Sequence, residues 1–277
     1  MSRIATTFER LKAEGRTGLV TYITAGDPSL ERTRDVLLAL ARSGADVIEV
    51  GVPFSDPLAD GPVIQRATER ALAAGATLEK VLTLVADVRP RLEVPLVLFT
   101  YANPVARMGF ETFARRAAAS GVDGVLTLDL PLEEAGEFRE VLRNQGLDTI
   151  FLLSPTTTDE RIRRAGKLGS GFLYGISRLG VTGARAQVAA GAADLAVRIR
   201  REATLPLALG FGISRPEHVQ EIGRVADAAV VGSGLVQIIA EAGDSASLVP
   251  AVEGYVRWLT GAGVQPASAG AMGSRGA

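Results

Sequence analysis

Eight short runs of aliphatic and β-branched residues recur along the chain, near residues 19–23, 46–50, 95–100, 124–128, 149–153, 172–176, 206–209 and 228–231. Each is almost wholly apolar, as expected for parallel strands covered on both faces. Helical patterns fill the intervals between them. Eight such units in about 260 residues predict an α/β fold, a parallel eight-stranded (β/α)8 barrel with an extra N-terminal helix. A doubly wound sheet is the structural alternative, because alternation alone does not establish closure. No linker or repeat divides the chain. Residues 1–261 therefore read as a single barrel domain, and the Gly/Ala-rich stretch over 262–277 as a disordered tail.

Helix-end signals accompany the pattern. Thr6-x-x-Glu9, Thr157-x-x-Glu160 and Ser214-x-x-Glu217 have the spacing of capping boxes, and Asp27-Pro28 reads as a cap before a first-turn proline. In the helix that follows, Val36, Leu37 and Leu40 face inward and Gly44 is the stop. Gly146, Gly169 and Gly223 read as further stops. The intervals after the second and sixth strands are longer than the rest. In a parallel barrel both extra segments begin at the C-terminal face, where such barrels place their active sites, and both are lid candidates. Two tolerated insertions would look the same.

Composition removes several chemistries. There is no cysteine, so disulfides, thiolate nucleophiles and Cys-bearing metal sites are excluded. His218 is the sole histidine, which argues against multi-histidine metal sites and Ser/His triads; in its place after Ser214 it reads as a surface helix residue. The lysines are Lys12, Lys80 and Lys167, all in predicted helices, so a Schiff-base aldolase has no lysine at a strand end. The formal net charge is −1 with no basic run, which disfavours nucleic acid as a partner. No apolar run is long enough to span a membrane, and the opening residues lack a signal-peptide core, so a cytoplasmic location is expected.

What remains is metal-free carboxylate chemistry on a phosphorylated substrate. In DVIEVGV the side chains alternate, so Glu49 shares a face with Val47 while Ile48 and Val50 face the helices. Glu49 is thereby directed into the barrel, where desolvation raises a carboxyl pKa toward the range useful for proton transfer. An exposed strand-end glutamate, or one paired with a neighbouring arginine, is the plainer reading. Asp56 and Asp60 lie in SDPLADGP, stiffened by Pro57 and Pro62; on their own they read as turn chemistry. Gly210-Phe211-Gly212-Ile213-Ser214 and Gly232-Ser233-Gly234 follow the last two strands, where barrels bind phosphate on backbone N–H groups and helix N-termini. Gly180-Val181-Thr182-Gly183 follows the sixth strand and offers further donors. Tyr22, Phe99, Tyr101, Leu126, Phe151 and Tyr174 cluster near strand ends. Most suit the barrel core; the tyrosines Tyr22, Tyr101 and Tyr174 are the better pocket candidates, because each hydroxyl needs a partner.

Taken in order, YITAGDPS, ADVIEVGVPFSDPLADGPVIQRA, YANPV, GVDGVLTLDLP, SPTTTDERI, FLYGISRLGVTG, LALGFGIS and VVGSGLV resemble the tryptophan synthase alpha chain family over about residues 6–260. The resemblance implies a barrel that cleaves indole-3-glycerol phosphate to indole and glyceraldehyde 3-phosphate. It implies that Glu49 is the general acid/base and that Asp60 holds the indole N–H. Phosphate would sit at Gly183, Gly212, Gly232 and Ser233, with Tyr174 lining the site and Thr182 on a loop that closes toward Asp60. Asp56, Pro57 and Asn103 would face a beta chain in an α2β2 tetramer. The implied cofactor, pyridoxal phosphate, belongs to that beta chain and none is expected here. Two departures stand out: Tyr22 where phenylalanine is usual, and Leu132 where a proline is frequent. A stand-alone lyase that releases free indole and a non-catalytic activator of a beta chain are the functional alternatives. A different phosphate-binding barrel, such as an isomerase, is disfavoured by the Glu49 and Asp60 arrangement.

Overall fold

A computed structural model describes residues 1–176, 185–210 and 212–264, with only the backbone described for 185–191. In chain order its elements are α1 (Arg3–Glu14), β1 (Gly18–Thr24), α2 (Leu30–Ser43), β2 (Val47–Gly51), α3 (Pro62–Ala73), α4 (Leu78–Val88), β3 (Leu96–Thr100), α5 (Ala102–Met108), α6 (Phe110–Ser120), β4 (Gly124–Thr127), α7 (Gly136–Asn144), β5 (Asp148–Leu153), α8 (Asp159–Leu168), β6 (Leu173–Ile176), α9 (Arg185–Glu202), β7 (Leu207–Gly210), α10 (Pro216–Gly223), β8 (Ala228–Val231), α11 (Ser233–Ala242) and α12 (Leu248–Leu259). All eight expected strands form, each within two residues of its expected bounds. They pair in parallel in sequence order, and β8 pairs with β1, so the sheet closes into a barrel. Closure rules out the doubly wound alternative. No described helix is long and apolar enough to cross a membrane.

Alternation along the strands divides the core in two. Val20, Val47, Val97, Leu126, Ile150, Ala208, Ala228 and Val230 fill the barrel interior. Leu19, Ile23, Ile48, Val50, Leu96, Leu98, Leu207 and Leu209 face outward beneath the helices. Fully burying one such aliphatic side chain contributes roughly 1.5–3 kcal/mol, so a strand shifted by one residue would forfeit several of these contributions at once. Helix α1 closes the N-terminal end: Ile4, Phe8 and Leu11 join the interior cluster, and the Phe8 ring lies 5.5 Å from that of Phe172.

Aspartates placed just before strands tie the same end together. Asp46, Asp123 and Asp227 accept the backbone N–H of Leu19 (2.9 Å), Leu96 (2.8 Å) and Leu207 (2.7 Å). Their remaining charge is met by arginines: Arg16 pairs with Asp46 (2.7 Å), Arg89 with Asp123 (3.2 Å) and Arg200 with Asp227 (2.8 Å).

Several helix starts differ from expectation. The first helix is capped by Ser2, whose hydroxyl accepts from Ala5 N–H (3.2 Å), while Thr6 lies inside the helix. The second is capped by Ser29, not Asp27. Asp27 is buried and forms a two-pronged ion pair with Arg70 of α3 (2.8 and 2.7 Å). The cap of α8 is Thr158 rather than Thr157, and α10 begins after Arg215 without a side-chain cap. Gly44 ends α2 as expected, in the left-handed region at φ +107°. The expected disordered tail falls largely on residues 265–277, outside the described residues.

Candidate active site

Glu49 sits in the middle of β2, in register with Tyr22 of β1 and Val97 of β3. The outward packing of Ile48 and Val50 leaves its side chain pointing inward, as alternation predicts. It is completely buried, and among the described residues neither carboxyl oxygen has a hydrogen-bond partner. Desolvation accordingly pushes its pKa up to about 8. No arginine among the described residues pairs with it. An unpaired buried carboxyl is costly for a fold, and such groups concentrate where proton transfer is needed.

Above it lies a cavity of about 530 Å³ at the C-terminal end of the barrel. Tyr22, Phe99 and Tyr174 form its apolar floor, with the Tyr22 and Phe99 rings edge to face at 5.0 Å. Glu49 is fully buried and is not itself on the cavity surface. The Tyr22 hydroxyl lies 3.3 Å from Thr24 Oγ1, so the extra oxygen at this position has an internal partner. Helix α3 leans over the mouth: Val63 and Ile64 line the cavity and pack with Tyr22, Ala67 and Val236.

The opposite wall is made of main chain. Gly210, Gly212, Ile213 and Ser214 from the turn after β7 face Gly232, Ser233 and Gly234 at the start of α11. Gly212 has φ +56°, a backbone conformation that residues with a Cβ rarely adopt. Helix α11 has no side-chain cap, so its first amides open toward the cavity with the positive end of the helix dipole behind them. This is the architecture of an anion cradle.

Asp60 belongs to the loop between β2 and α3. The turn chemistry anticipated for this loop is present: Asp60 N–H donates to Pro57 carbonyl (3.1 Å) and Leu58 N–H to Asp56 carbonyl (2.8 Å). The Asp60 side chain has a separate partner, because the Tyr101 hydroxyl donates to its Oδ2 at 3.0 Å. Partial burial raises the Asp60 pKa, and the Tyr101 hydroxyl opposes that rise. The same hydroxyl accepts from Ala59 N–H at 3.1 Å. Tyr101 therefore holds the loop that carries Asp60, and it is not among the residues that line the cavity. Asp56 and Leu58 stand exposed at the loop tip, and Asn103 is exposed on α5, two residues beyond Tyr101. Thr182, Gly183 and Phe211 lie outside the described residues. Val63, Ile64 and Gln237 also line the cavity and carried no chemical signal in the sequence; the apolar Val63-Ile64-Ala67 spacing was the only trace.

The family profile described as tryptophan synthase alpha chain matches residues 8–259. The chain belongs to the tryptophan synthase alpha chain family. It is 55% identical over 241 residues to the tryptophan synthase alpha chain of Geotalea uraniireducens (strain Rf4), covering 87% of this chain and 90% of that one. It is 49% identical over 259 residues to that of Solibacter usitatus (strain Ellin6076), covering 94% and 97%. The crystal structure of tryptophan synthase subunit alpha from Legionella pneumophila str. Paris is similar with a TM-score of 0.86 at 39% identity, covering 95% of this chain and 98% of the other. A chain from the tryptophan synthase a2b2 complex of Pyrococcus furiosus is similar with a TM-score of 0.81 at 40% identity, covering 88% and 98%. Family membership and the barrel agree with the eight-strand pattern.

Proposed function

We propose that Glu49 and Asp60 carry the family's lyase reaction in this chain, the retro-aldol cleavage of indole-3-glycerol phosphate to indole and glyceraldehyde 3-phosphate. The supporting observation is the fully buried Glu49 carboxyl, unpaired among the described residues, beneath a mostly apolar cavity whose far wall is a main-chain anion cradle. The bicyclic ring rests on Tyr22, Phe99 and Tyr174, and the phosphate on the amides near Gly212, Gly232 and Ser233. A pKa near 8 leaves Glu49 largely protonated at neutral pH, ready to act as the acid. It protonates indole C3. The adjacent glycerol hydroxyl then gives its proton to the Glu49 carboxylate, which restores the acid, and the bond between C3 and the carbinol carbon breaks. The bonding pair returns to the ring as indole forms, and the carbinol carbon leaves as the aldehyde. Asp60, ionised and positioned by Tyr101, accepts the ring N–H and stabilises the positive charge that develops on it. The two carboxyls differ in role because their environments differ: one is fully buried and unpaired among the described residues, the other half-buried and hydrogen-bonded.

Within an α2β2 assembly, Asp56, Pro57 and Asn103 face the beta chain, which holds pyridoxal phosphate and consumes the indole. Indole release from indole-3-glycerol phosphate, measured on the purified chain with and without a tryptophan synthase beta chain, tests this reading. Cleavage strongly activated by the beta chain is expected, along with loss of cleavage in folded Glu49→Gln. Near-normal turnover by that variant would remove Glu49 from the mechanism. Turnover indifferent to the beta chain would mark a stand-alone lyase.

A further inference from the structure

Two side chains from outside the cavity hold the backbone of Ser214. Its N–H donates to His218 Nδ1 at 3.3 Å, and its carbonyl accepts from the Tyr255 hydroxyl at 3.4 Å. Ser214 lines the cavity two residues beyond Gly212. His218 lies in the first turn of α10, where Arg215 supplies no side-chain cap, and Tyr255 comes from α12. Accepting at Nδ1 requires a neutral imidazole with its hydrogen on Nε2. His218 thus has a defined partner, contrary to the reading of it as a plain surface residue.

Tyr255 is completely buried among Leu248, Val252 and Val256, with the Trp258 ring 6.0 Å away. Phenylalanine would fill that space without carrying a hydroxyl out of water. A buried phenol oxygen is tolerated when it is hydrogen-bonded, and its partner here is Ser214. The same oxygen presses on the neighbouring segment: a Cβ at Gly234 would lie only 2.5 Å from it. The hydroxyl therefore occupies the seam between the turn after β7 and the first turn of α11, the two halves of the anion wall.

We propose that Tyr255 and His218 are positioning residues for the bound phosphate. By fixing the two peptide units that flank the Ser214 Cα, they set the direction of the Gly212 and Ile213 amides against those of Ser233 and Gly234. Amide dipoles bind an anion well only when they need not reorganise to meet it. Neither side chain touches the reacting atoms; both act through backbone. This role rests on the cradle reading above and adds the groups that hold the cradle in shape.

The experiment uses the full chain with its beta partner. Dissociation constants for glycerol phosphate, and KM and kcat for indole-3-glycerol phosphate, are measured for Tyr255→Phe, His218→Ala and His218→Gln, with thermal unfolding as a control for folding. Loss of one such hydrogen bond is expected to weaken glycerol phosphate binding and raise KM about fivefold in Tyr255→Phe and His218→Ala, with kcat within twofold of the parent. His218→Gln, whose amide oxygen accepts the same N–H, recovers most of the loss. Unchanged glycerol phosphate affinity in folded His218→Ala and Tyr255→Phe would overturn the proposal, as would a loss confined to kcat. If Tyr255→Phe does not fold, the contrast between His218→Ala and His218→Gln decides alone. Absence of glycerol phosphate binding by the parent chain would instead overturn the cradle reading, and the clamp with it.

Discussion

The Tyr101 hydroxyl donates to Asp60 Oδ2 at 3.0 Å while accepting from Ala59 N–H at 3.1 Å, so one phenol fixes both the carboxylate and the loop that carries it. The Phe54 ring, from the same loop, lies 5.1 Å from that of Tyr101. Tyr101→Phe keeps the ring and removes only the oxygen. Without that donor Asp60 loses a contact that opposes its raised pKa, and its loop loses an anchor. We expect kcat/KM for indole release to fall about tenfold, with the acid limb of the pH profile moved to higher pH and the fold intact. A pH profile superimposable on the parent's would show that Asp60 does not depend on Tyr101.

Asp60→Asn preserves shape but removes the charge that opposes the developing cation on the indole ring. Turnover should drop by roughly two to four orders of magnitude, less completely than in Glu49→Gln. Steady-state kinetics that match the parent would return Asp60 to its turn hydrogen bonds alone.

Glu49 couples catalysis to stability. Its pKa is about 8 when folded and near the ordinary carboxyl value when unfolded. Below the unfolded pKa the group is protonated in both states and has no effect on stability. As pH rises from there toward 8, the unfolded chain releases a proton that the folded chain retains, so stability declines. Glu49→Gln cannot ionise and escapes that decline. Urea unfolding should find the variant more stable than the parent by a few kcal/mol at pH 8 and about equal at pH 4. An equal difference at both pH values would mean that Glu49 is not held neutral by burial.

The opposite end of the barrel should behave independently of the chemistry. Asp123 accepts the Leu96 N–H at 2.8 Å and pairs with Arg89 at 3.2 Å and with Arg3. Asp123→Ala leaves a buried amide and a largely buried guanidinium without their partner. We expect a loss of about 2–4 kcal/mol in urea unfolding and unchanged lyase kinetics at temperatures where the variant stays folded. A kinetic defect in the fully folded variant would refute this separation of the two ends.

Local periodicity made the strands and the inward face of Glu49 legible, because strand alternation depends only on neighbouring residues. The paired glycine segments were legible for the same reason: Gly212 and Gly232 follow their strands directly. Helix caps were less so. Thr6, Asp27 and Thr157 had the right chemistry, yet Ser2, Ser29 and Thr158 do the capping. Several nearby hydroxyls and carboxylates suit such a role equally, and packing chooses among them. Asp27 went instead to Arg70, 43 residues away.

By itself, the order of apolar runs and glycine turns determined eight βα units and turned an acid toward the inner face of the sheet; closure into a barrel was decided by the pairing of β8 with β1. Tertiary structure decided what that acid and its neighbours experience. Glu49 is dry because Tyr22, Phe99 and Tyr174 meet above it from three separate strands. Asp60 is aimed by Tyr101, 41 residues further on, and Ser214 is held by Tyr255 from the last helix. Desolvation and hydrogen-bond direction are properties of what surrounds a group in space, and closure of the barrel alone brings those surroundings together.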